Sequence, residues 1–220
     1  MSVTPERVRA RLAAFAPGVR QAGLRVRGDH DGNPGLGPPA DKPLRPASVL
    51  VPLIDRPEGL TVLLTQRTAH LHDHAGQVSF PGGRLEPDDP DAVAAALRET
   101  EEEIGLARRH IEVVGRLDTY RTRTAYEVTP VVGIVRPPFD LAPDDFEVAE
   151  IFEMPLAFAL SPRNHERHSR VFQGVERHFW VLPFEDRYIW GATAGMLVNL
   201  YEALTGEQAV AKPPGSARTP

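Results

Sequence analysis

Six short apolar or alternating runs, parted by turn signals and interrupted by one acidic helical stretch, limit what this chain can fold into. "ASVLVPLI" (47–54) and "LTVLLTQR" (60–67) flank the turn signal "DRPEG" and read as neighbouring strands. "IEVVGRLDTY" (111–120) and "YEVTPVVGIV" (126–135) follow the acidic stretch, and "EVAEIFEM" (147–154) and "HFWVLPF" (178–184) come later. "ATAGMLVNLYEAL" repeats Met196, Leu200 and Leu204 at fourfold spacing and predicts a closing helix. Strands before and between two well-separated helices predict an α+β domain, a mixed sheet sandwiched by helices.

That domain is expected to span 47–205. Ahead of it, Thr4 and Pro5 open a short helix whose Val8, Leu12 and Phe15 repeat until Pro17 and Gly18. "GDHDGNPGLGPPADKPLRP" (28–46) is dense in Gly and Pro and predicts a loop, so 1–46 is read as an extension. Residues 206–220 are read as a flexible tail.

Composition excludes several functions. A formal net charge of -5 argues against a general nucleic-acid binder, and an acidic substrate would need local positive charge. With no cysteine, disulfides, thiolate nucleophiles and Cys-based zinc sites are excluded. The His-rich "TAHLHDH" (68–74) has no spacing that suits zinc. No run reaches the ~18 apolar residues of a membrane span, and the first residues lack a secretory pattern. The expectation is a cytoplasmic protein acting on a small molecule, with no nucleic-acid or membrane partner and its oligomeric state open.

"RLEPDDPDAVAAALRETEEEIGL" (84–106) carries the chemistry. At 3.6 residues per turn, Glu99, Glu102 and Glu103 fall within an arc of roughly 100°. Val93, Leu97, Thr100 and Ile104 form a second stripe to pack on the sheet. Like charges at i, i+4 destabilise a bare helix, and a hard divalent cation removes that cost. Gly82 and Gly83, without side chains, would let a backbone carbonyl approach the same ion.

These residues resemble the box of the Nudix hydrolases, G-x5-E-x7-R-E-U-x-E-E-x-G-U, where U is bulky and apolar. Gly83 opens it, and Arg98, Glu99, Glu102, Glu103, Gly105 and Leu106 match its closing half in type and spacing. Asp89 stands where the first Glu belongs, eight residues rather than seven before Arg98, and equally suits the start of the helix. Thr100 replaces an apolar residue. The resemblance implies a Nudix-type α/β/α sandwich, and Mg²⁺ or Mn²⁺ held by Glu99, Glu102, Glu103 and the Gly82 carbonyl. It leaves Arg98 to orient the carboxylates, and Glu99, Glu147 and Glu150 as candidate general bases.

"LLTQRTAHLHDHAGQVSFPGG" (63–83) is similar to the segment before the box in Nudix hydrolases of coenzyme A. Leu63, Leu64, Thr65, Arg67, Gly76, Phe80, Pro81, Gly82 and Gly83 match, whereas Thr68 and His72 occupy Ser/Ala and Arg positions. "IWGATA" (189–194) is similar to that subfamily's closing segment. The implied reaction is hydrolysis of coenzyme A to 3′,5′-ADP and 4′-phosphopantetheine, with Arg67, Arg84, Arg121, Arg123 and His72 as candidates for substrate phosphates. Two alternatives remain: a Nudix hydrolase of another nucleoside diphosphate derivative such as ADP-ribose, or a non-catalytic binding module.

Overall fold

A computed structural model describes residues 3–15, 26–33, 35, 37, 38, 41–71 and 74–210. In chain order the elements are α1 (Pro5–Ala14), β1 (Arg27–Gly28), β2 (Arg45–Arg56), β3 (Gly59–Arg67), β4 (Val78–Ser79), β5 (Gly82–Arg84) and α2 (Ala92–Ile104). Then come β6 (Ile111–Arg116), β7 (Tyr120–Arg121), β8 (Tyr126–Val135), β9 (Val148–Pro155) and the single turn α3 (Leu156–Ala159). The chain closes with β10 (Glu166–Phe172), β11 (Val175–Phe184), β12 (Arg187–Trp190) and α4 (Gly191–Thr205).

The main sheet is mixed and centres on β2. That strand runs antiparallel to β3 (Leu53 opposite Val62), parallel to β8 (Leu50 opposite Val131) and antiparallel to the short β5 (Val49 opposite Gly82). β4 and β9 extend β3, while β6 and β7 pair with β8. β10, β11 and β12 form a separate three-stranded antiparallel sheet.

Period-2 alternation divides the apolar residues of β2, β3 and β8 between two faces. Leu50, Ile54, Leu63 and Val131 pack with Ala96 and Ile104 of α2. Val51, Leu64 and Val132 pack on the other face with Leu197, Leu200 and Leu204 of α4, Val8 and Leu12 of α1, and Leu156 of α3. The sheet is therefore sandwiched between α2 and the α1/α4 layer, as the expected α/β/α sandwich requires.

Three details differ from the expectations. Arg27 and Gly28 pair in parallel with Tyr120 and Arg121, so the Gly/Pro-rich segment begins as a strand of the main sheet. β2 starts at Arg45 rather than Ala47. Residues 206–210 lie against α4, with Tyr201 donating to Glu207 (2.6 Å) and the Ala209 N–H donating to Glu202 (2.9 Å). Residues 211–220 of the expected tail lie outside the described residues. Among the described residues, no helix is long and apolar enough to cross a membrane.

Candidate active site

α2 positions the carboxylates. Asp91 caps it, its side chain accepting the Ala94 N–H at 2.8 Å, and Gly105 ends it in the left-handed region at φ 70°. Thr100 is buried in the stripe facing the sheet. Its hydroxyl donates to the Ala96 carbonyl at 2.6 Å, which is how a polar residue occupies an apolar position without an unmet hydrogen bond.

Asp89 does not start the helix. It accepts hydrogen bonds from Arg98 Nε (3.1 Å) and Nη2 (2.9 Å), and Arg98 Nη1 in turn reaches Glu99 (3.1 Å) and Glu102 (2.8 Å). Arg98 also donates to the Arg84 carbonyl at 3.2 Å. The guanidinium holds the Asp89 carboxyl below its ordinary range. Arg98 thus orients two carboxylates, and Asp89 orients Arg98 across the longer spacing. Sequence reasoning left this role open, because a one-residue insertion conceals which acid faces the guanidinium.

Two glycines bring the backbone onto these carboxylates. A Cβ on Gly83 would lie 2.4 Å from Glu99 Oε2, and one on Gly82, at φ +147°, would lie 2.4 Å from the Ser48 carbonyl oxygen. The Gly82 N–H donates to Glu103 Oε2 at 2.9 Å.

Glu103 is 7% exposed, and its Oε1 is buried with no hydrogen-bond partner. Arg67 Nη1 stands 3.8 Å from Glu103 and 3.9 Å from Glu147, so this guanidinium lies between two carboxylates. Burial pushes the Glu103 carboxyl up to about 7. The Gly82 N–H and Arg67 oppose that rise, and the charges of Glu147 and Glu99 add to it. Burial also raises Glu99, against the pull of Arg98 and with help from Glu102 and Glu147.

A divalent cation suits this set. The donors are all hard oxygens, one buried oxygen of Glu103 is unsatisfied, and the carboxylates raise one another's pKa. As they stand, Glu99 and Glu102 are paired with Arg98, and Glu103 has Arg67 beside it. Among the described residues, no group of three acidic or His side chains converges closely enough to grip an ion.

The other expected site residues make contacts of their own. Glu150 shares strand parity with Phe152 and Met154, which pack on the α4 face, and it pairs with Arg187. It is therefore not brought to the α2 carboxylates. Arg84 donates to the Tyr126 hydroxyl (3.0 and 2.8 Å), Arg121 pairs with Glu127 (2.7 Å), and Arg123 stands over Phe172 at 5.9 Å. His72 lies outside the described residues.

A family model described as "NUDIX domain" matches residues 44–175. An uncharacterized Nudix hydrolase, NudL, of Escherichia coli strain K12 is 44% identical over 157 residues, covering 71% of this chain and 81% of the relative. A MutT/nudix family protein from Enterococcus faecalis superposes with a TM-score of 0.47 at 20% identity, covering 77% of this chain and 65% of the other. An Ap4A hydrolase of C. elegans gives 0.44 at 22%, covering 50% and 80%. The family model and the NudL relative, rather than these distant superpositions, carry the assignment. The chain belongs to the Nudix family. Its class is that of the Nudix hydrolases, enzymes acting on pyrophosphate bonds of nucleoside diphosphate derivatives.

Proposed function

We propose that this Nudix hydrolase splits the pyrophosphate of coenzyme A or its derivatives, releasing 3′,5′-ADP and 4′-phosphopantetheine. The observation behind this reading is that both ends of the 63–83 segment meet at one carboxylate. Arg67 reaches Glu103 from the end of β3, and Gly82 donates its N–H to the same side chain. The stretch similar to coenzyme A hydrolases therefore approaches Glu103 from both ends, which supports this reading.

Glu99, Glu102 and Glu103, with the Gly82 carbonyl, are the residues that would hold Mg²⁺ or Mn²⁺. Such an ion supplies neutralisation of the diphosphate and a lower pKa for the attacking water. Arg98, fixed by Asp89, keeps Glu99 and Glu102 oriented. Water adds to one phosphorus, the bridging P–O bond breaks, and a carboxylate takes up the proton. We assign that role to Glu99 or the half-exposed Glu147, since Glu150 is occupied with Arg187 on the opposite face. Arg67, beside both Glu103 and Glu147, would turn to a phosphate oxygen as the diphosphate enters.

Product formation from coenzyme A, ADP-ribose and nucleoside triphosphates, each with and without Mg²⁺, tests the reading. Mg²⁺-dependent release of 3′,5′-ADP, at a kcat/KM above that for the other two, is expected. Preference for ADP-ribose or a triphosphate would replace the substrate, and binding without turnover would make the chain a non-catalytic module.

A further inference from the structure

One face of the three-stranded sheet carries an aromatic row ending in arginines. Side chains on paired residues point the same way. The register therefore puts Glu166 with Val181 and Trp190, His168 with Phe179, and Arg170 with Arg177 on one face, and Phe172 with Val175 follows at the tip. Phe179, Tyr188 and Trp190 are partly buried, and Phe179 and Trp190 meet edge to face at 5.4 Å. α4 starts directly after Trp190. Its Thr193 donates to the Val78 carbonyl on β4, the strand that leads into Phe80, Pro81 and the Gly82–Gly83 pair.

The far end of this face is positive. Arg170 and Arg177 stand directly opposite in the ladder, a like-charge pairing that costs stability unless an anion intervenes. Arg177 lies 4.5 Å over the Phe172 ring, Arg123 approaches the same ring at 5.9 Å, and Arg177 Nε is buried with no hydrogen-bond partner. Among the described residues, none of the three guanidiniums has a carboxylate at salt-bridge distance. In a chain of net charge -5, these three cations make the tip locally positive.

We infer that this face binds the nucleotide end of the substrate, a purine resting against Phe179 and Trp190 and a separate phosphate monoester held by Arg123, Arg170 and Arg177. The inference rests on the coenzyme A reading, whose 3′-phospho-adenosine has that composition. Phe179 and Arg177 are two residues apart on β11, about 7 Å at ~3.4 Å per residue, which suits the separation of a base from its ribose phosphate. Base stacking on aromatic rings and guanidinium contacts to phosphate are the two interactions such a ligand needs.

Calorimetric binding of 3′,5′-ADP and 5′-AMP to the full chain and to Arg123→Gln, Arg177→Gln and Phe179→Leu separates the parts. The native chain is expected to hold 3′,5′-ADP at least 10-fold more tightly than 5′-AMP. Either arginine variant should lose most of that ratio with 5′-AMP binding unchanged, and Phe179→Leu should weaken both ligands alike. Equal affinity for the two nucleotides in the native chain, or an unchanged ratio in both arginine variants, overturns the inference. So does self-association through the hairpin tip that Phe172→Ser disperses without altering 3′,5′-ADP binding. Failure of coenzyme A turnover with the nucleotide ratio intact would remove the substrate reading and leave this site standing.

Discussion

Glu103 keeps a carboxylate where charge is costly, and the cost depends on pH. Below its ordinary value of 4.5 the group is protonated in both the folded and unfolded chain. Between there and about 7 the unfolded chain releases the proton while the folded one keeps it. The folded state then binds more protons, so stability without metal falls as pH rises through this window, by up to about 3 kcal/mol, and levels off above it. Thermal melts in chelator from pH 5 to 8 should show that slope, and Glu103→Gln should flatten it. Adding Mg²⁺ should raise Tm more at pH 8 than at pH 6, and this gain should be lost in Glu103→Gln together with turnover. Asp89 lends itself to a second test. Asp89→Asn keeps the shape but removes the charge facing Arg98, and kcat should fall by about 10–100-fold. Folding should be little changed; near-native kcat would show that Arg98 needs no such anchor. That Glu99, Glu102 and Glu103 share one helix was legible from spacing alone. The Arg67 bridge and the diversion of Glu150 were not, since they depend on which face of β3 and β9 each side chain takes.

Elements with strong periodicity were readable in advance, and short polar ones were not. α2 and α4, the long strands β2, β3 and β8, and the later β9 and β11 follow from apolar spacing. β10, with the sequence "ERHSRVF" and no fully buried residue, carries no such signal. β4 and β5, of two and three residues, are held by pairing with β3 and β2 rather than by propensity. Yet β5 delivers Gly83 to Glu99, so an element too short to recognise positions the site. Gly83→Ala would place a methyl group 2.4 Å from a flexible carboxylate rather than against backbone. The fold should persist with Tm within a few degrees, while displacement of Glu99 should lower kcat at least 10-fold. Unchanged kinetics would show that Glu99 does not work from where it stands.

At the scale of the molecule, one buried cation joins segments distant in sequence. Arg27 on β1 is 4% exposed and donates to Asp118 at 3.0 Å and to Glu202 on α4, which also accepts the Ala209 N–H. Asn199 completes the cluster, donating to Asp118 at 3.1 Å and accepting the Asp118 N–H at 2.9 Å. The N-terminal segment, β7's approach, α4 and the residues after it therefore meet at one charge network. Nothing in the Gly/Pro-rich composition after Arg27 announced it, because the partners lie 91 and 175 residues away. Removing one member of a buried ion cluster costs more than the cluster contributes, since carboxylates already out of water lose a counter-charge. Arg27→Ala should thus lower the unfolding free energy by about 3–5 kcal/mol in urea titration. Arg27→Lys should recover part of that loss, keeping the charge but not the forked geometry that reaches both acids. Equal losses in the two variants would mean that geometry, not charge, joins β1 to Asp118 and α4. A loss below about 1 kcal/mol in Arg27→Ala would mean that water or another cation takes the place of Arg27, as at an exposed pair.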